Sequence, residues 1–235
     1  MPAKSTASPS PVVLFDMDGV LVNSEPLHME VERAIFRELG LDIPLEEHHR
    51  FIGMVPLKIW TLLRERYGLE EAPATLKQRE QARKYELFRQ REVPLVPGVR
   101  RLLSTFRKRG YPLALASSSP RQIIELFTGK TGTRAFFEFL LSGEEVAKGK
   151  PAPDIFLESA RRLGADPAVC CVIEDSGNGV RAAKAAGMAC IGFQNPSSGE
   201  QDLTPADLIV DSFEGENRRQ IMDLIEEVAR AGGKA

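Results

Sequence analysis

The sequence predicts an open α/β fold, a mostly parallel sheet layered with helices, into which an all-helical unit is inserted. Three observations predict it. The run Val12-Val13-Leu14-Phe15 is unbroken apolar and ends abruptly at Asp16 and Asp18, as a central parallel strand buried on both faces does. From about residue 95 onward, short apolar runs alternate with segments of helical spacing. Between these parts lies a long stretch, reaching to about residue 92, with no β-like run. A chain of 235 residues can hold a core and a smaller insertion and needs no metal or disulfide to staple them.

The elements follow in order. After the first strand, Ser24 is placed to cap a helix and Pro26 suits its first turn. Leu27, Val31, Ile35 and Leu39 then recur at helical spacing, and Gly40 can end the segment. Pro56 to Tyr67 carries Leu57, Trp60, Leu62 and Leu63 on an apolar stripe. Thr75 to Arg91 is highly charged, and its Lys77, Arg79, Arg83, Lys84, Arg89 and Arg91 read mostly as a solvated helix face from which one or two could reach a substrate phosphate. Past Pro94 and Pro97-Gly98, the residues Val99, Leu102, Leu103 and Phe106 form a helical stripe closed by Gly110. Pro112 to Ala116 reads as a buried strand, Arg121 to Phe127 as a short helix and Phe139 to Leu141 as a short strand. Asp154 to Leu163 is a helix stopped at Gly164, and Val169 to Ile173 a strand. Val180 to Ala186 is a small-residue helix ending at Gly187; Met188 to Gly192 and Leu208 to Val210 are strands. Asn217 to Ala229 closes the order as an amphipathic helix. The expected division is a loose tail over 1–11, a core over 12–23 and 95–235, and a helical insertion over 24–94.

Composition excludes several function classes. The formal net charge is -2, a balance that favours neither nucleic acid nor an anionic membrane. Cys170, Cys171 and Cys190 form no CxxC or Cys/His cluster and read as buried packing in a reducing compartment; Cys170 and Cys171 should point to opposite faces of one strand. The Ser- and Pro-rich start lacks the apolar core of a signal peptide, and no stretch is long enough to span a bilayer. A cytoplasmic monomer is the expectation.

Chemistry-bearing residues gather at predicted strand ends: Asp16 and Asp18 after the first, Ser117 after the second, Glu174 and Asp175 after a later one, with Lys150 before a helix. Ligands in open α/β sheets bind outside the carboxyl ends of the strands, and the insertion would cover that edge. A phosphate ester repels a carboxylate nucleophile unless cations offset the charge. Asp16 and Asp175, with Glu174 directly or through water, could supply oxygens to Mg²⁺, while Lys150 and Ser117 hold phosphoryl oxygens. Gly19 would let the backbone turn closely round the phosphate. Asp16 and Asp18 suit covalent attack and general acid/base work, but their spacing does not say which does which.

Four motifs carry a family resemblance. Phe15-Asp16-Met17-Asp18-Gly19-Val20-Leu21-Val22-Asn23-Ser24-Glu25-Pro26 resembles the first motif of the haloacid dehalogenase (HAD) superfamily. Ala114 to Ser117 resembles the second, Lys150 to Phe156 the third and Ile173 to Gly179 the fourth, in the same order. The resemblance implies a Rossmann-like core with a helical cap, in the branch of β-phosphoglucomutase and sugar-phosphate or phosphoglycolate phosphatases. It implies that Asp16 forms an aspartyl-phosphate and that Asp18 is the acid/base and lends its carbonyl to Mg²⁺. Ser117 and Lys150 would bind the phosphoryl group, and Glu174 and Asp175 would complete the metal site. On the substrate side, His28 matches a cap-hinge histidine, Gly53 lies in a cap segment near the site, and Ser118 follows the second motif. Where the mutase has a phosphate-gripping arginine this chain has Pro56, and where it has a serine this chain has Ile59. The expected activity is therefore Mg²⁺-dependent hydrolysis of a small phosphorylated metabolite, a sugar phosphate above all. A phosphosugar mutase and a non-catalytic binding protein on the same scaffold are the alternatives.

Overall fold

The computed structural model describes residues 10–52 and 54–232. Most of the predicted tail, and Gly53, lie outside the described residues. The strands are β1 (Val12–Phe15), β2 (Leu113–Ser117), β3 (Phe139–Ser142), β4 (Cys170–Glu174), β5 (Ala189–Phe193) and β6 (Leu208–Val210). They form one sheet in the order β3-β2-β1-β4-β5-β6, and every pairing is parallel. β1 is central, with Val13 opposite Leu113 on one side and Cys171 on the other. All four of its residues are buried, as the apolar run requires.

The helices lie on both faces of the sheet. On one face, α5 (Val99–Lys108), α6 (Arg121–Lys130) and α9 (Gly215–Gly232) bury Leu102, Phe106, Ile124, Ile221 and Ile225 against Val13, Phe15 and Cys171. On the other, α7 (Asp154–Leu163) and α8 (Gly177–Ala185) bury Phe156, Val180 and Ala183 against Leu14, Cys170 and Val172. Cys170 and Cys171 thus face opposite layers, and all three cysteines are free and buried. Burial pushes the Cys170 thiol up to about 12, which makes it inert at neutral pH.

Between β1 and β2 the chain is helical: α1 (Glu25–Glu38), α2 (Leu45–His49), α3 (Pro56–Tyr67) and α4 (Pro73–Gln90). Their core is separate, built from Val31, Ile35, Phe36, Ile43, Ile59, Trp60, Leu63 and Leu76. The two connecting segments run side by side, Asn23 N donating to Pro94 O at 2.9 Å and Val96 N to Leu21 O at 3.1 Å. Lys130 of α6 donates to the carbonyls of Phe88, Arg89 and Arg91 at 2.7 to 2.9 Å, capping the end of α4 from below. α8 begins three residues before its predicted start, since Ser176 takes the cap and accepts from Gly179 N. The short α2 was not expected; five residues are too few for a periodic signal. No described helix is long and apolar enough to cross a membrane.

Candidate active site

The carboxyl ends of β1, β2 and β4 bring the predicted residues together. Asp16 directly follows β1 and anchors its N–H on Ile173 O of β4 at 3.0 Å. The chain then tightens into a loop, with Leu21 N and Val22 N both donating to Met17 O and Gly19 N to Val22 O. Gly19 adopts φ +79°, and a Cβ there would lie 1.9 Å from Asp175 Oδ2. A glycine is therefore needed both for the turn and for the approach of the loop to Asp175. Asn195, beyond β5, donates to Gly19 O at 2.7 Å and fixes the loop from the other side. Glu174 is the last residue of β4; its Oε2 accepts from Asp175 N, Ser176 N and Ser176 Oγ, all at 3.0 Å. A Cβ at Gly179 would fall 1.8 Å from that carboxylate, so α8 can start behind it only with glycine there.

Lys150 occupies the space between the two strands. Its Nζ donates to Asp16 Oδ1 and to Glu174 Oε1, each at 2.5 Å, and the residue is 2% exposed. Burial opposes its charge, but Asp16 and Glu174 outweigh that and hold its pKa above the usual lysine range. Asp16, Glu174 and Asp175 each offer an oxygen, all within 4.8 Å of one another. Burial pushes the Asp16 carboxyl well up, and Glu174, Asp175 and Asp18 add to it against the pull of Lys150. Asp175 is raised for the same reasons, burial first and then Glu174 and Glu25, against a hydrogen bond from Ser198 at 2.5 Å. An all-oxygen, buried donor set with more negative charge than one lysine can offset suits a hard divalent cation such as Mg²⁺.

Asp18 points elsewhere. Its Oδ1 takes Ser24 Oγ at 2.5 Å and lies 3.0 Å from His28 Nε2, while its Oδ2 takes Ser119 Oγ at 2.7 Å and Ser117 Oγ at 3.3 Å. Burial alone would raise its pKa. His28, by charge and hydrogen bond, together with Ser24 and Ser119, holds it below the usual carboxylate range. The expectation for Ser24 is corrected here. It stands at the N-cap position of α1 with helical φ and ψ and makes no side-chain cap bond, because its hydroxyl is committed to Asp18. The His28 ring also meets Phe88 edge-on at 4.8 Å.

A cavity of about 860 Å³, part of it open to solvent, lies between these strand ends and the insertion. Asp16, Asp18, His28, Ser118 and Asp175 line it, as do Pro56 and Ile59, so apolar groups stand where the resemblance would put an arginine and a serine. Of the basic residues of α4, Lys84 is the one that turns inward. It is 8% exposed, lines the cavity and pairs with both Glu32 and Glu80. Its length lets α4 carry an ammonium group inward that charge counting alone assigns to water. Lys77, Arg79 and Arg83 do pair at the surface, with Glu144, Glu71 and Glu38. Sequence reasoning also missed Ser119, Asn195, Ser198, Glu25 and Glu32. The serine run after β2 held a signal for Ser119, and Glu25, His28 and Glu32 recur on one helix face. The loop after β5 held none.

A model of the haloacid dehalogenase-like hydrolases matches residues 11–187, which contain all four strand-end motifs. The chain belongs to this family. Among HAD-like relatives, the bifunctional riboflavin kinase/FMN phosphatase of Arabidopsis thaliana is 35% identical over 207 residues; the match covers 87% of this chain and 54% of that protein. The chain thus spans about half the length of that relative. Hexitol phosphatase B of Escherichia coli K12 is 33% identical over 189 residues, covering 79% of this chain and 84% of that one. The crystal structure of β-phosphoglucomutase from Clostridium difficile superposes with a TM-score of 0.80 at 24% identity, covering 93% and 98% of the two chains. At that identity the likeness is one of fold, and it confirms the HAD-like α/β architecture.

Proposed function

We infer that the protein is a Mg²⁺-dependent phosphatase that hydrolyses a small phosphorylated metabolite, a sugar phosphate above all, through an aspartyl-phosphate on Asp16. The observation that carries this is the convergence of Asp16, Lys150, Glu174 and Asp175 in one buried cluster, with Asp18 held in a four-membered hydrogen-bond cradle two residues away. The phosphatase names of the HAD-like relatives support it. In this reading residues 12–23 and 95–235 form the catalytic core and residues 24–94 a cap over it. All the site residues come from one chain.

Asp16, Glu174 and Asp175, with the Asp18 carbonyl, would hold the cation, which supplies charge neutralisation for the phosphoryl oxygens. Lys150 and Ser117 bind phosphoryl oxygens. Asp16 attacks phosphorus while the ester P–O bond breaks; Asp18, held ionised in the free protein, has to enter the substrate complex protonated to give its proton to the leaving oxygen. Water then attacks the same phosphorus, Asp18 takes a proton from it, and Asp16 is released with inorganic phosphate. Ser24, His28 and Ser119 orient Asp18 for both transfers.

The test is phosphate release from p-nitrophenyl phosphate with and without Mg²⁺. Asp16→Asn should lower kcat by at least ~10³-fold, since a carboxamide is no substitute for the nucleophile. Unchanged turnover in that variant would sink the mechanism.

A further inference from the structure

The end of the cavity away from Asp16 is polar, and its groups are not those of a second phosphate site. Glu25, His28 and Glu32 lie on one face of α1, so a row of polar groups runs from Asp18 into the insertion for about 10 Å at 1.5 Å per residue. Glu32 meets Lys84 and His48. Lys84 also meets Glu80, and Glu80 accepts from the Trp60 indole. Glu25 is 7% exposed and lines the same cavity. Asp175 lines it too, so this polar floor is continuous with the strand-end cluster.

The charges decide what can bind. No arginine lines the cavity, and Lys84 is the one lysine that does, among the described residues. Lys84 is already engaged by two carboxylates, Glu32 and Glu80. With His48 neutral the Glu32–Glu80–Lys84 group carries one surplus negative charge; with His48 protonated it is balanced. In neither state does a cation face the cavity uncommitted, so a second phosphate or a carboxylate would meet like charge in a site of low dielectric. Hydroxyl groups meet the opposite situation. Carboxylate oxygens accept from them, and Lys84 can donate to them without losing its partners. Phe51, Met54 and Ile59 supply apolar wall for a carbon chain.

We propose that Glu25, Glu32, His48, Glu80 and Lys84 read the hydroxyls of an uncharged polyhydroxylated leaving group, so that the enzyme takes monophosphates of sugars or alditols and rejects bisphosphates and phosphorylated carboxylic acids. This rests on the phosphatase reading of the same site. Rejection by unmatched buried charge is the stronger half of such specificity.

The full-length chain with Mg²⁺ is assayed for phosphate release from glucitol 6-phosphate, fructose 1,6-bisphosphate and 2-phosphoglycolate, with p-nitrophenyl phosphate as control. The expected kcat/KM for glucitol 6-phosphate exceeds that for either anionic ester by at least about 100-fold. Glu32→Gln should narrow that ratio by about tenfold, chiefly through KM; Glu25→Gln, which breaks no ion pair, gives the same readout if the first variant does not fold. Turnover of p-nitrophenyl phosphate with fructose 1,6-bisphosphate or 2-phosphoglycolate equal to or better than glucitol 6-phosphate overturns the specificity and leaves the phosphatase standing. Absence of release from every ester, the control included, overturns the phosphatase reading itself.

Discussion

At the residue scale the site depends on clearances as much as on donors. Gly19 turns with φ +79° directly beneath Asp175, and its missing Cβ is the space the carboxylate occupies. Gly19→Ala meets two penalties, a left-handed backbone and a clash with a buried charged group. The expected outcome is a loss of about 2–4 kcal/mol in stability and near-complete loss of activity, measured by urea denaturation and phosphate release. A variant of wild-type stability and activity would show that Asp175 does not sit against this turn. Ser24 shows why the residues around a reacting group were harder to read than the group itself. A serine before Glu25-Pro26 satisfies the helix-cap pattern from sequence alone, and only the fold shows that Asp18 competes for the same hydroxyl and wins it.

At the element scale, strands and long helices were legible because burial imposes a period on them. Val12–Phe15, Pro56–Tyr67, Asp154–Leu163 and Leu208–Val210 agree to the residue with their apolar patterns. α4 was located but its inner face was not, because Lys84 has the same sequence appearance as its exposed neighbours. Its partner is 52 residues away on α1, and no local spacing encodes that pairing. The pair also makes a pH prediction. Burial would raise the pKa of Glu32, but Lys84 and His48 outweigh it and hold the group below the usual range. Glu32 therefore contributes stability above its unfolded value, roughly 4.3, and loses it as pH falls towards the folded value. Lys84 is shifted up by Glu32 and Glu80 against its burial, so its contribution is full below roughly 10.4 and fades only above that. Glu32→Gln should then cost about 2 kcal/mol at pH 7.5 and clearly less at pH 3.5. Thermal melts of both proteins at the two values check this; an equal penalty at both would mean that Glu32 is not ionised in the folded protein.

At the scale of the whole molecule, the order β3-β2-β1-β4-β5-β6 places the chain's direction change beside β1, and residues distant in sequence converge there. Asp16 and Glu174 meet because β1 and β4 are neighbours, and Lys150, 134 residues from Asp16 in the segment before α7, reaches both. That convergence puts three carboxyl groups and one ammonium in one buried cluster. Burial raises Asp16 and Asp175, and the charge of the neighbouring carboxylates adds to it, so both groups strain the folded state when ionised. The sign is opposite to that of Glu32: carboxyls with raised folded pKa values favour the fold at low pH and oppose it as they ionise. A divalent cation bound by these oxygens relieves that strain, and its binding to the folded form alone adds stability, about 2.7 kcal/mol at a hundred times Kd. Mg²⁺ should therefore raise Tm at pH 7.5 in a concentration-dependent way. Asp175→Asn removes one of the opposed charges while keeping an acceptor for Ser198 Oγ. Its Tm without metal should exceed that of the wild type by the equivalent of roughly 1 kcal/mol, and Mg²⁺ should no longer raise it. Differential scanning calorimetry with EDTA and with Mg²⁺ reads both effects; a variant that is less stable in EDTA, or one that still responds fully to Mg²⁺, would show that Asp175 neither bears the repulsion nor holds the ion.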